Sequence, residues 1–351
     1  MKTTAILAAA STAALSIALG SVATAQDSEL LVLDYPGFEN AEFHPGYIAT
    51  HGAAPTFSFF SDEEEAFQKV RSGFQSDVTE ICAGSVTKWI DSGIIEPWDV
   101  SRVPEYANLD SNLTGESISA DGNSVYFVPH NFGSTAIAYN PDEVPAEDVA
   151  SLAVFTNPAY AGRMTMPDNV DDAFALAYLA TGVTDWAGVT DAQFDAAVAF
   201  LRAAHPQMRT YWADPAELSQ LMATGEILVS WAWNETFPTM VEEGRPIAFQ
   251  REPVEGSSLW LCGYVNMTDG QGSEDKAYDF LNAILDPAVT VPLLDSGFGH
   301  ANAASMAMID DETLTAAGIG PVSGPILAQL PISNAQRERH AEMFEMIKAG
   351  F

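Results

Sequence analysis

Two tryptophans, an amide and a carboxylate lie close together in the order Trp231, Trp233, Asn234 and Glu235. The residues before them, 227–229, are apolar and typical of a buried strand. Side chains two positions apart in a strand point to the same face, so the two indoles should stand side by side. A strand that ends in aromatic and polar groups commonly forms the wall of a small-molecule pocket, but indoles are also typical of a core. The segment therefore predicts either a ligand pocket or a core.

Three carboxylates, Asp168, Asp171 and Asp172, lie close together just after the predicted strand at 162–166. They suggest a metal site or an acid–base pair, and a secreted hydrolase that uses Asp168 and Asp172 is the enzyme alternative. Their spacing lacks the glycine and the distal glutamate of a calcium-binding loop, and a capped helix start explains them better. The dinucleotide, phosphate-loop, serine-hydrolase and zinc-protease motifs are absent from the sequence, and the six histidines show no ligand spacing. We therefore predict no enzyme, no metal and no cofactor.

The N-terminal residues have the pattern of a secretory signal peptide. Lys2 precedes an apolar segment of small residues, 5–23, and Ala-Thr-Ala at 23–25 matches a cleavage site. We expect residues 1–25 to be removed and the mature protein to begin near Gln26 in the periplasm. No later segment is long and apolar enough to predict a transmembrane helix.

The composition is strongly acidic, with a formal charge of −34 from 48 acidic and 14 basic residues. Such a charge repels nucleic acid and anionic membranes and attracts cations, although uniform acidity also serves solubility alone. Nucleic-acid binding is therefore not expected. No tyrosine pair or histidine cluster favours an Fe³⁺-binding protein. The roughly 325 residues that follow the signal peptide suffice for two lobes, each with its own core.

The sequence has two cysteines, Cys82 and Cys262. An isolated pair in an exported protein usually forms a disulfide. A Cys-x-x-Cys motif and a Cys/His cluster are both absent, which argues against structural zinc.

Predicted strands and helices alternate along the chain, which indicates the α/β class. The extended segments 124–129 and 134–139 flank residues 130–133, and we interpret them as two crossings between two lobes. The other predicted strands are 30–33, 56–60, 77–82, 162–166, 208–212, 227–233, 246–249 and 258–265. The main predicted helices start near 62, 85, 173, 194, 214 and 273.

The order of several motifs resembles that of the periplasmic spermidine/putrescine-binding proteins. The motifs are Val128–Asn140, Met164–Asp168, Trp231–Asn234, Ser258–Trp260 and Gly297–Ala303. The resemblance covers nearly the whole mature chain. It implies a type II periplasmic-binding-protein fold, a monomer, and delivery of a small ligand to the transmembrane subunits of an ABC permease. On this basis we predict one lobe from 26–136 with 264–304, and a second from 137–263 with 305–351.

The resemblance also implies a ligand site, since in that family carboxylates meet the ammonium groups and aromatic rings enclose the methylene chain. We expect Trp233 and Trp260 as the walls of an aromatic cage, with Asp172 as the charge between them and Trp231 as core or support. The implied ligand-binding residues are Tyr35, Phe38, Ser85, Asp168, Asp172, Trp233, Asn234, Trp260 and His300.

Two departures from the family pattern affect the expected ligand. Cys262 replaces an aspartate, and residues 82–85 replace a polar turn that bears tyrosines. The mapping places Cys82 and Cys262 in the pocket wall, one from each side of a lobe junction, where a disulfide is plausible. Losing the aspartate favours a smaller amine, or a quaternary ammonium held by aromatic rings, over spermidine itself. A zwitterionic or anionic solute is the alternative, with partners among Arg163, Arg209, Arg245, His130 and His300.

Overall fold

The computed structural model describes residues 26–111, 113, 114 and 124–351, so the predicted signal peptide lies outside the described residues. The strands are β1 (Gln26–Asp34), β2 (Ala54–Phe59), β3 (Val78–Cys82), β4 (Ile95–Glu96), β5 (Phe127–Tyr139), β6 (Met164–Pro167), β7 (Met208–Trp212), β8 (Val229–Trp233), β9 (Ala248–Gln250), β10 (Ser257–Met267), β11 (Gly299–His300) and β12 (Ile326–Ala328). The helices are α1 (Pro45–His51), α2 (Glu63–Arg71), α3 (Val86–Ser92), α4 (Val170–Ala180), α5 (Asp191–Ala204), α6 (Pro215–Ala223), α7 (Thr236–Glu242), α8 (Glu274–Ile284), α9 (Thr290–Asp295), α10 (Ala303–Met306), α11 (Asp311–Ala316) and α12 (Asn334–Lys348). Within the described ranges, none of these helices combines the length and the apolar character needed to span a membrane.

The strands form one curled mixed sheet in the order β2-β1-β3-β10-β5-β8-β6-β7. At one end β1 runs parallel to β2 and β3, and at the other β6 runs parallel to β7 and β8. Strands β5 and β10 lie between these two parallel sets and pair antiparallel with each other. The α/β class and the two-lobe fold with extended hinge strands are confirmed, and the two lobe sheets are continuous through the hinge.

The hinge differs from the sequence-based interpretation. Residues 127–139 form the single strand β5, which pairs first with β10 and then with β8. The second crossing is β10, which pairs with β12 at its start and with β3 nearer its end. The sequence predicts that the segment 130–133 separates two strands, but it pairs with β10 and β11, and the His130 carbonyl accepts a hydrogen bond from Ala301 N, so the strand continues through a bulge.

Separate apolar cores lie on either side of these hinge strands. One side includes Leu30, Val32 and Tyr264, whereas the other includes Phe174, Leu179 and Trp231. Trp231 is fully buried and lies in the second core, as the sequence led us to expect. These clusters are compatible with the predicted lobes, whose exact boundaries remain a prediction.

Helices α2, α4 and α6 begin at the carboxyl ends of β2, β6 and β7 and are capped by short polar side chains. Asp62 caps α2, Asn169 caps α4, and Asp214 caps α6, which has Pro215 at its first position. Each cap accepts a backbone N–H that the first helical turn leaves unpaired. The sequence pointed to Asp168 as a possible cap for α4, but Asn169 has that role and the helix starts three residues earlier than predicted. The carboxyl ends of both parallel strand sets therefore present helix starts and loops to the space between the lobes.

Candidate functional site

A cavity of about 370 Å³ lies at the carboxyl ends of the two parallel strand sets. Its aromatic lining residues are Tyr35, Phe38, Phe59, Phe60, Trp233, Trp260 and Phe298. Its acidic lining residues are Glu63, Glu65, Glu80, Asp171, Asp172, Asp214 and Glu235. Among the described residues that line it, there is no lysine, arginine or histidine. The cavity is therefore aromatic and strongly negative.

Asp172 occupies a fixed position in the cavity wall. Its Oδ1 accepts hydrogen bonds from Thr135 Oγ1 (2.5 Å) and Gln329 Nε2 (3.1 Å), and its Oδ2 accepts one from Trp233 Nε1 (2.6 Å). Burial raises the pKa of Asp172, while these three hydrogen bonds act in the opposite direction. All three donors are neutral, so they orient the carboxylate without supplying a positive charge.

The two cavity tryptophans are held by other aromatic rings. Trp233 meets Trp212 edge-to-face with ring centroids 4.7 Å apart, and Trp260 meets Phe298 in the same way at 6.1 Å. Trp260 also lies against Gly133 of β5, where a Cβ atom would be only 2.2 Å from the indole. Glycine at this position is therefore what allows the ring to approach the hinge strand.

The loop after β1 completes the aromatic lining. Tyr35 packs on Phe60 at 4.4 Å between centroids, and Phe38 packs on Phe298 at 5.2 Å. Offset and edge contacts of this kind stabilise rings beyond the area that they bury. Rings from both sequence halves therefore converge on one cavity.

A buried arginine joins elements on the two sides of the cavity. Arg337 of α12 pairs through Nη1 with Asp171 Oδ2 (2.7 Å) and through Nε with Glu64 Oε1 (2.7 Å), and its Nη2 is 4.0 Å from Glu63 Oε2. Lys88 pairs with Glu64 from the other side. Burial raises the pKa of Glu63 to about 7 even though the guanidinium opposes this shift. The cluster thus ties the start of α2 to α4 and α12.

Five of the predicted ligand residues line the cavity: Tyr35, Phe38, Asp172, Trp233 and Trp260. Their role in binding remains a prediction. In the structure the Trp233 indole donates a hydrogen bond directly to the Asp172 carboxylate.

Four predicted ligand residues do not line the cavity. Asp168 binds Lys348 Nζ (2.5 Å) at the surface, and the buried Ser85 hydroxyl donates to the Cys82 carbonyl. His300 is buried with its Nδ1 2.8 Å from Thr290 Oγ1. The fourth, Asn234, accepts a hydrogen bond from the Ser134 backbone N–H at 3.1 Å and so ties β8 to the hinge strand. Each of these four side chains binds a partner and does not line the cavity.

Several residues that were not among the predicted ligand residues lie in or beside the cavity. They are Glu63, Glu80, Asp171, Glu235, Phe298, Gln329 and Arg337. Glu80 could have been singled out from the sequence, because it is the carboxylate of the mainly apolar β3, and a buried carboxylate rarely occurs without a partner. Glu235 directly follows the predicted Trp-Asn pair, whereas nothing local in α12 distinguishes Arg337 from the other charges of that helix.

Cys82 and Cys262 form a disulfide, which confirms the predicted pairing. They occupy directly opposite positions on the antiparallel strands β3 and β10, with Cα atoms 3.8 Å apart. The bond therefore joins two neighbouring strands of one sheet and not the two sides of a lobe junction. Both cysteines line the cavity.

The arginines considered for an anionic ligand lie outside the cavity lining. Each pairs with a nearby glutamate at 2.9 to 3.5 Å: Arg163 with Glu143, Arg209 with Glu226, and Arg245 with Glu243. His130 is buried, and burial lowers its pKa to about 3, so it adds no positive charge. The two carboxylates considered for a hydrolase do not face the same cavity. Asp168 binds Lys348, and of the two only Asp172 lines the cavity.

Comparisons with known proteins agree with this architecture. The sequence is 24% identical over 266 residues, 74% of each chain, to the spermidine/putrescine-binding periplasmic protein of Escherichia coli (strain K12). The structure matches a putative spermidine/putrescine ABC transporter protein from Listeria monocytogenes with a TM-score of 0.78 at 19% identity, covering 91% of this chain and 98% of that chain. It also matches MotA from A. tumefaciens B6, solved in complex with glucopine, with a TM-score of 0.73 at 17% identity, covering 91% of this chain and 99% of the other.

The sequence model of the bacterial extracellular solute-binding proteins matches residues 55–316, about three quarters of the chain. This match and the polyamine-binding relatives confirm the resemblance found in the sequence. The chain belongs to the family of bacterial extracellular solute-binding proteins.

Proposed function

We propose that this protein is the periplasmic solute-binding component of an ABC importer and that it captures a cationic, polyamine-like amine between its lobes. The observation that carries this proposal is the cavity lining, which combines seven carboxylates with seven aromatic rings and has no basic side chain among the described residues. A desolvated ammonium needs an acidic partner, and a cation over an indole face gains about 0.5–2 kcal/mol.

The relatives support the amine but do not require it. The E. coli relative is named for spermidine and putrescine, whereas the A. tumefaciens neighbour was solved with glucopine. The fold thus accommodates different ligands, and the acidic lining of this cavity supports a cationic one. An anion would face a surplus of carboxylates here, and the described residues of the lining include no arginine to bind it.

Closure of the lobes provides the route from binding to transport. The two parallel strand sets are linked through β5 and β10, so rotation about these strands would open or close the cavity. A ligand that contacts both sides stabilises the closed form, which the permease would recognise.

A thermal-shift experiment tests the amine proposal. The mature protein is mixed with putrescine, spermidine, a quaternary ammonium such as choline, γ-aminobutyrate and glutamate at matched concentrations. A ligand that binds only the native state raises its stability by RT ln(1 + [L]/Kd), which is about 2.7 kcal/mol at 100 times Kd. We expect the largest rise in Tm with an amine. A clear rise with glutamate, and none with any amine, would refute the proposal.

A matched pair of variants connects the binding to the cavity. Asp172→Asn removes a buried carboxylate of the lining, while Asp168→Asn removes an exposed one four residues away that binds Lys348. A hydrogen bond to a charged group contributes about 1.5–3 kcal/mol, so D172N should weaken amine binding at least tenfold. D168N should leave the Kd within about a factor of two, since exposed ion pairs contribute little. Equal effects of both variants on the Kd would argue against this site.

A further inference from the structure

Glu80 of β3 lies at the inner wall of the cavity and is fully buried. Its Oε1 accepts a hydrogen bond from Asn131 Nδ2 at 2.5 Å. Its Oε2 is also buried, and no amide, hydroxyl or basic side chain donates a hydrogen bond to it in the part of the chain that the structure describes. A buried carboxylate oxygen without such a donor is unfavourable, so this atom needs either a shared proton or a donor that enters from the cavity.

A second carboxyl group, that of Asp34 at the end of β1, neighbours Glu80, because Leu33 of β1 pairs in register with Thr79 of β3. Asp34 is fully buried, and its carboxyl oxygens accept hydrogen bonds from Tyr35 N (2.7 Å) and Tyr264 Oη (2.8 Å). Burial raises the pKa of Asp34, and the neighbouring Glu80 raises it further. Burial likewise raises the pKa of Glu80. Two adjacent buried carboxyls can share one proton, which would leave the pair with about one negative charge in the ligand-free protein.

Within the described ranges, no lysine or arginine forms an ion pair with Asp34 or Glu80. The base beside it is His130, whose Nδ1 is 3.7 Å from Glu80 Oε1, and burial lowers the pKa of this imidazole to about 3. The other titratable groups that face Glu80 are acidic or phenolic: Tyr35 after β1, Tyr264 on β10, Glu63 on α2 and Glu235 after β8. A positive charge near Glu80 therefore has to come from the ligand.

We propose that Glu80 is a second charge anchor of the site, and that an ammonium group bound there displaces the proton that Glu80 shares with Asp34. On binding, the proton leaves the pair for solvent, the pair changes from one negative charge to two, and the ligand supplies one positive charge. This inference rests on the proposed amine-binding function. It adds a residue that the resemblance did not indicate, on the strand beside the position where Cys262 replaces the expected aspartate.

The chemistry also explains how the site tolerates that replacement. Cys262 pairs with Cys82, which is two positions from Glu80 on the same face of β3. A carboxylate on β3 thus stands next to the place where the family pattern has one on β10. The disulfide holds the two strands in register at this point.

Calorimetry with putrescine and with 1-aminobutane tests the proposal, since the two probes share a butyl chain and differ in one amine. Titrations at pH 7 in buffers of different ionisation enthalpy report both the Kd and the protons released. For the wild-type protein we expect tighter binding of putrescine and release of up to about one proton per ligand. In Glu80→Gln the Kd for putrescine should rise about 10- to 100-fold, the Kd for 1-aminobutane should rise less, and the proton release should be lost.

Two further variants keep the test decisive. Asp34→Asn should bind putrescine without releasing a proton, because an amide can donate to Glu80 and leave it ionised. Asp168→Asn, which lies outside the cavity, should match the wild-type protein in both measurements.

The outcomes separate this inference from the proposed function. Wild-type binding of putrescine with an unchanged Kd in E80Q and no proton release would overturn the role of Glu80 and leave the amine site intact. If E80Q does not fold, proton release by the wild-type protein and its loss in D34N still support the pair, and release that persists in D34N overturns it. The absence of any amine binding by the wild-type protein would overturn both proposals.

Discussion

Replacing Arg337 with methionine should lower the free energy of unfolding by about 3–5 kcal/mol, the range for breaking a buried ion pair. The guanidinium is 2% exposed and donates to Asp171 and Glu64 at 2.7 Å each, with Glu63 at 4.0 Å. Methionine fills a similar volume but leaves Asp171 and Glu63 buried without their cation. The loss of unfolding free energy therefore comes mainly from the buried carboxylates that are left unpaired and less from the change in side-chain volume.

Arg339 provides a matched control on the same helix. It is 43% exposed, and it pairs with Asp191 at 2.6 Å and with Asp195 at 3.8 Å. It also stacks on Phe194 at 3.7 Å. Exposed ion pairs contribute up to about 1 kcal/mol each and an exposed cation–π contact a similar amount, so R339M should lose at most about 3 kcal/mol and less than R337M.

Urea denaturation at pH 7, followed by tryptophan fluorescence, measures both losses by linear extrapolation. The Arg337 cluster also connects α2 on one side of the cavity with α4 and α12 on the other. R337M should therefore populate the open form more and raise the apparent Kd for an amine in proportion. Equal losses of unfolding free energy in R337M and R339M would refute the reasoning, because burial would then not distinguish the two arginines.

Two further predictions concern the disulfide and pH. Replacing both Cys82 and Cys262 with serine should lower the free energy of unfolding by roughly 5 kcal/mol, the loop-closure value for a separation of 180 residues, as measured in urea against the oxidised protein; an unchanged midpoint would contradict it. Burial raises the pKa of Glu235 to about 8, above its unfolded value, so the folded state binds the extra proton and stability should fall as pH rises from 6.5 to 8. Below pH 6.5 four buried histidines act in the opposite direction, because burial lowers their pKa to about 3 or 4 and stability then rises with pH. They are His44, His130, His300 and His340. Urea curves at pH 6.5 and 8 should show a smaller change in E235Q than in the wild-type protein, and equal changes would be evidence against this account.

Local patterns predicted those elements whose signals are contained in a few consecutive residues. Asp214 and Pro215 marked the start of α6, and the apolar run before Trp231 marked β8, because caps and strand alternation depend on near neighbours. The segment 127–139 was misjudged, since its polar residues at 130–133 look like a break in isolation. Pairing with β10, more than 120 residues away in sequence, is what makes it one strand.

The candidate site was predictable in part. Aromatic residues and a helix-start carboxylate at recognisable positions led to Tyr35, Phe38, Asp172, Trp233 and Trp260, all of which line the cavity. Residue type alone could not show which of Asp168 and Asp172, four positions apart in the sequence, reaches the cavity. The structure separates them because Asp168 meets Lys348 of α12 at the surface while Asp172 turns toward β5 and β8.

The sequence by itself determined the α/β class, the two-lobe family, the acidic character and the pairing of its two cysteines. These properties depend on composition, periodicity and motif order, which survive without coordinates. Only the tertiary structure decided which carboxylates reach the cavity and what each of them faces. Arg337 and Glu80 show the reason, because the burial, pairing and charge state of each depend on residues from distant segments of the chain.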